Sequence, residues 1–147
     1  MATLCATALS VAAAACAHRT KVAEPVYPEA TVYARDPQFV GEWVGEVGGM
    51  WGILTLGELE PHRFFGSFVA DDASVEYVLM LDQSLVRDDR GAEAPSNRVV
   101  FTWQDGQGGR GRGWLLVNRE DTALTGAYGY DNAVQGLGEW TLIRSDT

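Results

Sequence analysis

Aromatic side chains are the residues whose spacing in this sequence points most clearly to chemistry. The triplet Gly-Glu-Trp occurs twice, at residues 41–43 and 138–140, and Gly-x-aromatic recurs at residues 66–68 and 126–128. In a β-strand, residues two apart lie on the same face, so each glycine shares a face with its ring. Rings that converge on one interior either fill a core or line an apolar site for a small molecule. The candidate ligand-binding residues are Trp43, Phe68, Trp103, Tyr128 and Trp140.

Patterns for catalysis and metal binding are sparse. His62 is the only histidine of the predicted domain, and it follows Pro61 at a turn, where histidines are usually solvated. The acids of residues 71–72 and 88–89 are sequence neighbours, whose side chains point apart on an extended chain. Residues 131–132 are too few for a calcium loop, and no His/Cys cluster suits zinc. We therefore expect no enzyme, no catalytic residue, no metal and no cofactor.

A glycine-rich segment at residues 106–111 satisfies the pattern GxGxxG. Phosphate binding by that pattern requires a helix directly afterwards, whereas residues 113–117 are strand-like. The overlapping letters GGRGRG, at residues 108–113, also resemble an arginine-glycine segment that binds nucleic acid, but the chain carries a formal charge of −9, which disfavours such a partner. We expect a hairpin, with Arg110 and Arg112 meeting an anionic group at the barrel mouth as the alternative.

Short apolar runs separated by turn residues supply the elements that would position these side chains. No stretch has a sustained helical period with caps. The longest polar loop is predicted at Arg87–Asn97, and the eight predicted strands are Phe39–Val47, Trp51–Leu59, Arg63–Ala70, Ser74–Val86, Arg98–Gln104, Arg110–Asn118, Ala123–Tyr130 and Leu137–Arg144. Short loops between consecutive strands predict an all-β fold, a single up-and-down antiparallel eight-stranded β-barrel. The two Gly-Glu-Trp strands would lie at the opposite ends of a sheet that closes on itself.

The N-terminus has the composition of an export signal. Residues 1–15 contain no charged side chain and are mostly Ala, Leu and Val, too few for a membrane-spanning helix. Small residues directly before Cys16 resemble a bacterial lipobox, which implies that Cys16 becomes a diacylated N-terminus. The alternative is ordinary cleavage after Ala17, at an Ala-x-Ala site.

The remaining chain divides into a linker and one domain. Residues 16–36 mix charges and prolines with little periodicity, which predicts a linker, and residues 37–147 form the predicted barrel. Cys5 and Cys16 are the only cysteines, so the mature domain would hold no disulfide. We expect a bacterial envelope protein, anchored by lipid in the outer membrane or periplasm, or alternatively a secreted one.

The stretch Phe39-Val40-Gly41-Glu42-Trp43 resembles the Gly-x-Trp start of lipocalins and avidins. Both families are eight-stranded up-and-down barrels that bind small ligands inside, and some bacterial lipocalins are outer-membrane lipoproteins. The likeness to avidins extends over residues 41–144. Residues 100–103 are similar to the avidin strand that carries a ligand-contacting Trp, and residues 138–144 are similar to the closing strand.

The avidin resemblance implies that Trp103 and Trp140 are cavity rings. The family's biotin-binding Asn, Ser and Tyr correspond to Gly45, Gly49 and Phe68 here. A site built on hydrogen bonds loses most of its discrimination without those groups, so we do not expect biotin to be the ligand.

Two functions follow from these patterns. The first is a barrel that binds a small apolar or amphipathic molecule through the five candidate rings. The second is a non-enzymatic interaction or inhibitor module with a filled barrel, acting through loops at residues 87–97 and 105–113. The second resembles the lipid-anchored lysozyme inhibitors of bacteria, which are also small eight-stranded barrels. The membrane would be contacted only through the lipid anchor, and an envelope protein is the expected partner in the second case.

Overall fold

The computed structural model describes residues 24–145, and these form one closed β-barrel. Each strand pairs antiparallel with the next, and the last pairs with the first. The predicted all-β, eight-stranded up-and-down barrel is therefore confirmed. The strands are β1 Gly41–Val47, β2 Met50–Glu60, β3 Arg63–Ala70, β4 Glu76–Arg87, β5 Glu93–Gln104, β6 Arg110–Val117, β7 Ala123–Tyr130 and β8 Gly138–Arg144.

The two Gly-Glu-Trp triplets lie on the strands that close the barrel. In the β1–β8 pairing, Val47 is opposite Trp140 and Trp43 is opposite Arg144. Trp43 and Trp140 both face the interior, as the period-two alternation predicts. The repeated triplet thus marks the seam of the barrel, and its two tryptophans lie at opposite ends of that seam.

Strand β5 begins earlier than the sequence predicts. A polar loop was expected over residues 87–97, but only residues 88–92 lie outside the strands. The register between β4 and β5 shifts between Gln83 and Leu85, and Pro95 is opposite Leu85. A bulge lets a strand accommodate proline, which cannot donate to a regular ladder. The loop prediction was therefore wrong for residues 93–97, because the pairing that makes them a strand comes from β4.

Aromatic rings on the inner face lie over glycines of the adjacent strand. Trp103 and Phe101 are paired directly with Gly111 and Gly113. A Cβ at Gly113 would lie 2.3 Å from the Phe101 ring and 2.5 Å from the Ala127 carbonyl oxygen, so no side chain fits there. Large rings packed over glycine let the sheet curve tightly enough to close.

The interior has two differently composed halves. The end with the turns at residues 48–49, 71–75, 105–109 and 131–137 is called the loop end, and aromatic rings fill its half. The other end is called the strap end, because residues 31–40, the strap, run across it. The buried residues of the two halves together include Phe39, Trp43, Leu54, Leu56, Phe64, Phe68, Tyr77, Leu79, Leu81, Val99, Phe101, Trp103, Leu115, Leu124, Tyr128, Trp140 and Leu142.

The strap has no helix or strand, but it is hydrogen-bonded to the barrel. The Thr31 amide donates to Asn97 Oδ1 (2.7 Å), and the Asn97 amide donates to the Thr31 carbonyl (2.8 Å). The Tyr33 hydroxyl donates to the Val117 carbonyl (2.7 Å), and Arg35 forms an ion pair with Asp121 (3.1 Å). Part of the segment predicted as a linker is thus attached to the domain. The predicted signal, Cys16 and linker residues 16–23 lie outside the described residues.

Candidate functional site

The five predicted ligand-binding residues all point into the barrel. They come from β1, β3, β5, β7 and β8, and each is at most 2% exposed. Phe68, Trp103, Tyr128 and Trp140 come together in the half nearest the loop end. Trp43 lies apart from them, at the strap end. The sequence predicts a single site of five rings. In the structure, four of the predicted rings form one aromatic cluster, and Trp43 is separate from it.

Tyr77 lies at the centre of the loop-end cluster and was missed in the sequence. Its ring centroid is 5.1 Å from that of Trp103, 5.7 Å from that of Tyr128 and 6.1 Å from that of Phe68. Tyr77 belongs to a strand whose outward residues are also apolar, so no hydrophobic alternation revealed its face. Phe101, 5.4 Å from Trp140, is a second addition, and it could have been included because it alternates with Trp103.

The rings of the loop-end cluster pack mostly edge to face. Trp140 contacts Phe68, Phe101 and Tyr128 at centroid distances of 5.4–5.8 Å and interplanar angles of 63–80°. Edge-to-face pairs at this spacing contribute about 0.5–1.5 kcal/mol beyond their area burial. The cluster occupies its half of the interior as a packed core.

Only some of the polar atoms inside the loop-end cluster have a hydrogen-bond partner. Trp103 Nε1 donates to the Gly129 carbonyl at 3.0 Å, and the hydroxyls of Tyr77 and Tyr128 are 3.5 Å apart. Trp140 Nε1 is buried and has no partner among the described residues. Burial, together with the Tyr77 hydroxyl, raises the pKa of Tyr128 well above its ordinary value of 10. The cluster therefore holds a Tyr128 hydroxyl that resists ionisation and, among the described residues, one indole N–H without an acceptor.

Trp43 is part of a different arrangement, at the strap end. Its Nε1 donates to the Phe39 carbonyl at 2.9 Å, and the Arg144 guanidinium lies 4.1 Å from its ring centroid. Arg144 also donates to the carbonyls of Gln38 (2.6 Å), Val40 (2.8 Å) and Asp121 (2.7 Å). A cation over a ring with three carbonyl acceptors fixes the strap across this end of the barrel.

A surface cleft of about 440 Å³ adjoins the loop end. Thr102 and Gln104 on β5 are paired with Arg112 and Arg110 on β6, and all four side chains line the cleft together with Asp131. The turn between β5 and β6, residues 105–109, is held by the Asp105 carboxylate, which accepts hydrogen bonds from the backbone amides of Gln107 and Gly109 at 2.8 Å. The GxGxxG segment is thus the predicted hairpin, followed by strand β6.

The other polar candidates are separated in the structure. His62 occupies the β2–β3 turn with a φ of 64°, and its Nδ1 is 3.1 Å from Gln83 Oε1. Within residues 24–145 no three His, Cys, Asp or Glu side chains are grouped so that they could hold a metal ion. The same residues include no helix long and apolar enough to cross a membrane.

Comparison of the chain with protein-family models, with curated proteins and with solved structures gives no match.

Proposed function

We propose that this protein is a non-enzymatic interaction module of the bacterial envelope, whose filled barrel presents its outer surface to a protein partner. The observation that carries the proposal is the packing of the interior. Trp103, Tyr128 and Trp140 contact one another or Tyr77 through ring pairs 5.1–5.8 Å apart, and none is more than 2% exposed. A small-molecule pocket usually needs at least about 300 Å³ of concave volume, and the 440 Å³ cleft lies on the outer surface beside β5 and β6, not among these packed rings.

Displacing these rings to admit a ligand would be costly. Truncation of a buried Phe or Trp to alanine typically destabilises a protein by about 3–5 kcal/mol. A ligand would have to recover a comparable free energy for each ring that it moved. A packed interior instead gives a rigid outer surface, and rigidity lowers the entropy lost when a partner binds.

Site-specific photocrosslinking in intact cells tests this proposal. A photoreactive amino acid would be placed at the exposed loop residues Arg90 and Gln107 and at the outward Thr141, with the buried Leu115 as the control. We expect an adduct of one defined mass from at least one exposed position, and none from Leu115. The adduct must re-form from the two purified proteins. No adduct at any exposed position would contradict the proposal.

A small ligand at the loop end is the second candidate, and it is favoured by Trp140 Nε1, which has no partner in the part of the chain that the structure describes. A buried donor without an acceptor costs about 1–3 kcal/mol, and an acceptor atom on a bound molecule would remove that cost. Titration of tryptophan fluorescence with fatty acids, sterols and aromatic probes tests this candidate. Binding that is lost in Trp140→Phe and kept in Trp103→Phe would support it, whereas a flat response in the wild-type protein would exclude it for those molecules.

The location in the envelope rests on the N-terminal sequence. Residues 1–15 and Cys16 fit a lipoprotein signal, and a diacyl chain would place the barrel at a membrane surface. The mass of the mature protein tests the anchor. A diacylated N-terminal Cys16 is expected, and an unmodified chain that starts at His18 would instead indicate secretion.

A further inference from the structure

One part of the barrel exterior is apolar. Six outward side chains of β2, β3 and β4, called the outer apolar face, are 39–54% exposed: Trp51, Ile53, Phe65, Val69, Val78 and Met80. They are neighbours across the strands, because Ile53 is paired with Val69 and Phe65 with Met80. Six partly exposed side chains of this size present on the order of 500 Å² of apolar surface, near the upper limit for the largest patch of a monomer.

The outer apolar face departs from the pattern of a sheet with one solvated side. Such sheets alternate apolar inward residues with polar outward ones, as β8 does with the outward Glu139 and Thr141. Strand β4 instead reads Val78-Leu79-Met80-Leu81, with Val78 and Met80 exposed and Leu79 and Leu81 buried. A strand that is apolar on both faces is typical of one covered on both sides.

The border of the outer apolar face is acidic. Glu46 is paired with Trp51, Glu76 with Val69 and Glu42 with Thr55, and none of the three glutamates forms a salt bridge within residues 24–145. Arg63 is the base beside Phe65, and Asp82 (2.9 Å) and Glu60 (3.9 Å) already pair with it. The face therefore combines an apolar centre with uncompensated glutamates on its β1 side and at Glu76, while Arg112 lies on its β5 side, in a cleft shared with Met80.

We infer that the outer apolar face binds a protein surface with an apolar centre and a border of lysine or arginine. The inference rests on the proposed function, because it assumes that the barrel acts through its exterior. Apolar side chains of the partner would cover Trp51 and Phe65, while its bases would meet Glu46 and Glu76. Opposite charge at the rim steers association and excludes like-charged surfaces. Pairing with a second copy would bring two acidic borders together on chains of charge −9.

The closed barrel also limits how a partner can bind. Each described strand is paired on both sides, so the face offers no free edge for strand addition. Recognition must therefore use side chains. This makes point substitutions on the face an informative test.

Two synthetic peptides serve as probes, one of alternating leucine and lysine and one of alternating leucine and glutamate. Calorimetric titration at about 0.15 M salt is expected to show saturable binding of the Leu/Lys peptide only. The double variant Trp51→Ser/Phe65→Ser should weaken that binding at least about tenfold. The matched control, Leu85→Ser/Tyr130→Ser, changes two exposed apolar residues outside the face and should leave that binding unchanged.

The charge of the border has its own pair of variants. Glu46→Gln/Glu76→Gln should weaken binding several-fold and reduce its dependence on salt, since rim charges act through screened attraction. Glu120→Gln/Glu139→Gln removes the same charge from exposed positions elsewhere and should have no such effect. Equal losses in target and control variants, equal binding of both peptides, or no saturable binding would each overturn the inference.

A second copy of the chain is the other possible occupant of the face, and sedimentation equilibrium tests for it by measuring the oligomeric state. Circular dichroism checks that each variant is folded. A concentration-dependent dimer that Trp51→Ser/Phe65→Ser abolishes would overturn the inference and assign the face to a second copy. A monomer supports the inference. If the peptide test fails but photocrosslinking gives an adduct at another exterior position, the inference about this face is wrong and the proposed function still holds. If no exterior position gives an adduct, the proposed function itself is wrong.

Discussion

The two Gly-Glu-Trp tryptophans have the same local sequence and opposite surroundings. Trp43 at the strap end has its N–H bonded to the Phe39 carbonyl and its ring under Arg144. Trp140 at the loop end is surrounded by rings, and its N–H has no acceptor within residues 24–145. The motif therefore sets the direction of the side chain and the place of the seam. The contacts that each tryptophan makes depend on residues far away in the sequence.

This difference divides the barrel into an end held by polar bonds and an end held by ring packing. At the strap end, Arg144 connects β8 to the strap through the carbonyls of Gln38 and Val40, and to the β6–β7 turn through that of Asp121. At the loop end, Tyr77 connects β4 to rings of three other strands. Substitutions at the two ends should consequently fail in different ways.

The largest expected effect is that of Trp43→Ala. It removes a fully buried ring, and it leaves the Phe39 carbonyl without its donor and Arg144 without its aromatic partner, so we expect a loss of about 3–5 kcal/mol in the free energy of unfolding. Urea denaturation followed by circular dichroism measures it. A loss below about 1 kcal/mol would mean that the strap end does not depend on Trp43.

Arg144→Met should cost about 2 kcal/mol, since the variant keeps a long apolar chain near Trp43 but removes charge-assisted hydrogen bonds. Arg119→Met is the matched control, because Arg119 lies 4.7 Å from the Tyr33 ring centroid in a comparable cation–π contact. The control should lose less than about 1 kcal/mol. Equal losses in thermal unfolding would show that the carbonyl bonds of Arg144 contribute little.

The variants Trp103→Phe and Trp140→Phe test two indole N–H groups of one cluster. The N–H of Trp103 has a hydrogen-bond acceptor, and that of Trp140 has none among the described residues. Both remove similar ring area, but only Trp103 gives up a hydrogen bond, to the Gly129 carbonyl. Trp103→Phe should therefore be the more destabilising by about 1 kcal/mol. The opposite order in urea denaturation would indicate that Trp140 Nε1 has an acceptor in solution.

The smallest expected effect is that of alkaline pH on the loop end. The pKa of Tyr128 is raised in the folded protein, so the folded state retains a proton that the unfolded state releases above about pH 10. The stabilisation is fully present below that pH and declines above it, by less than about 1 kcal/mol at pH 10.5. Tyr128→Phe should flatten this decline in the free energy of unfolding, and the exposed Tyr130→Phe should not.

Local alternation was enough to predict much of the fold. The bounds of β3 and β7 are as predicted, and the inward direction of Trp103 and Phe101 follows from period two. Tyr77 was missed because Val78 and Met80 are apolar and outward, which hides the alternation of β4. Val78 and Met80 belong to the outer apolar face. The alternation of β4 is therefore hidden by the same residues that are proposed to bind a partner.

Contacts between distant residues could not be predicted from the sequence. The Arg144 contact with Trp43 joins the last strand to the first, and the Thr31 bond to Asn97 spans 66 residues. The start of β5 depends on a bulge in β4 that no local signal marks. The candidate site was therefore predicted as a set of inward rings, without its division into two ends.

Fluorine NMR of the protein labelled with fluorotryptophan tests the filled barrel most directly, with each resonance assigned from a Trp→Phe variant. We predict that the resonance of the exposed Trp51 responds to exchange of H₂O for D₂O. The resonances of Trp43, Trp103 and Trp140 should respond neither to that exchange nor to fatty acids, sterols and aromatic probes. Saturable shifts of Trp103 and Trp140 on addition of such a molecule would contradict the account and show that the loop end opens to a ligand.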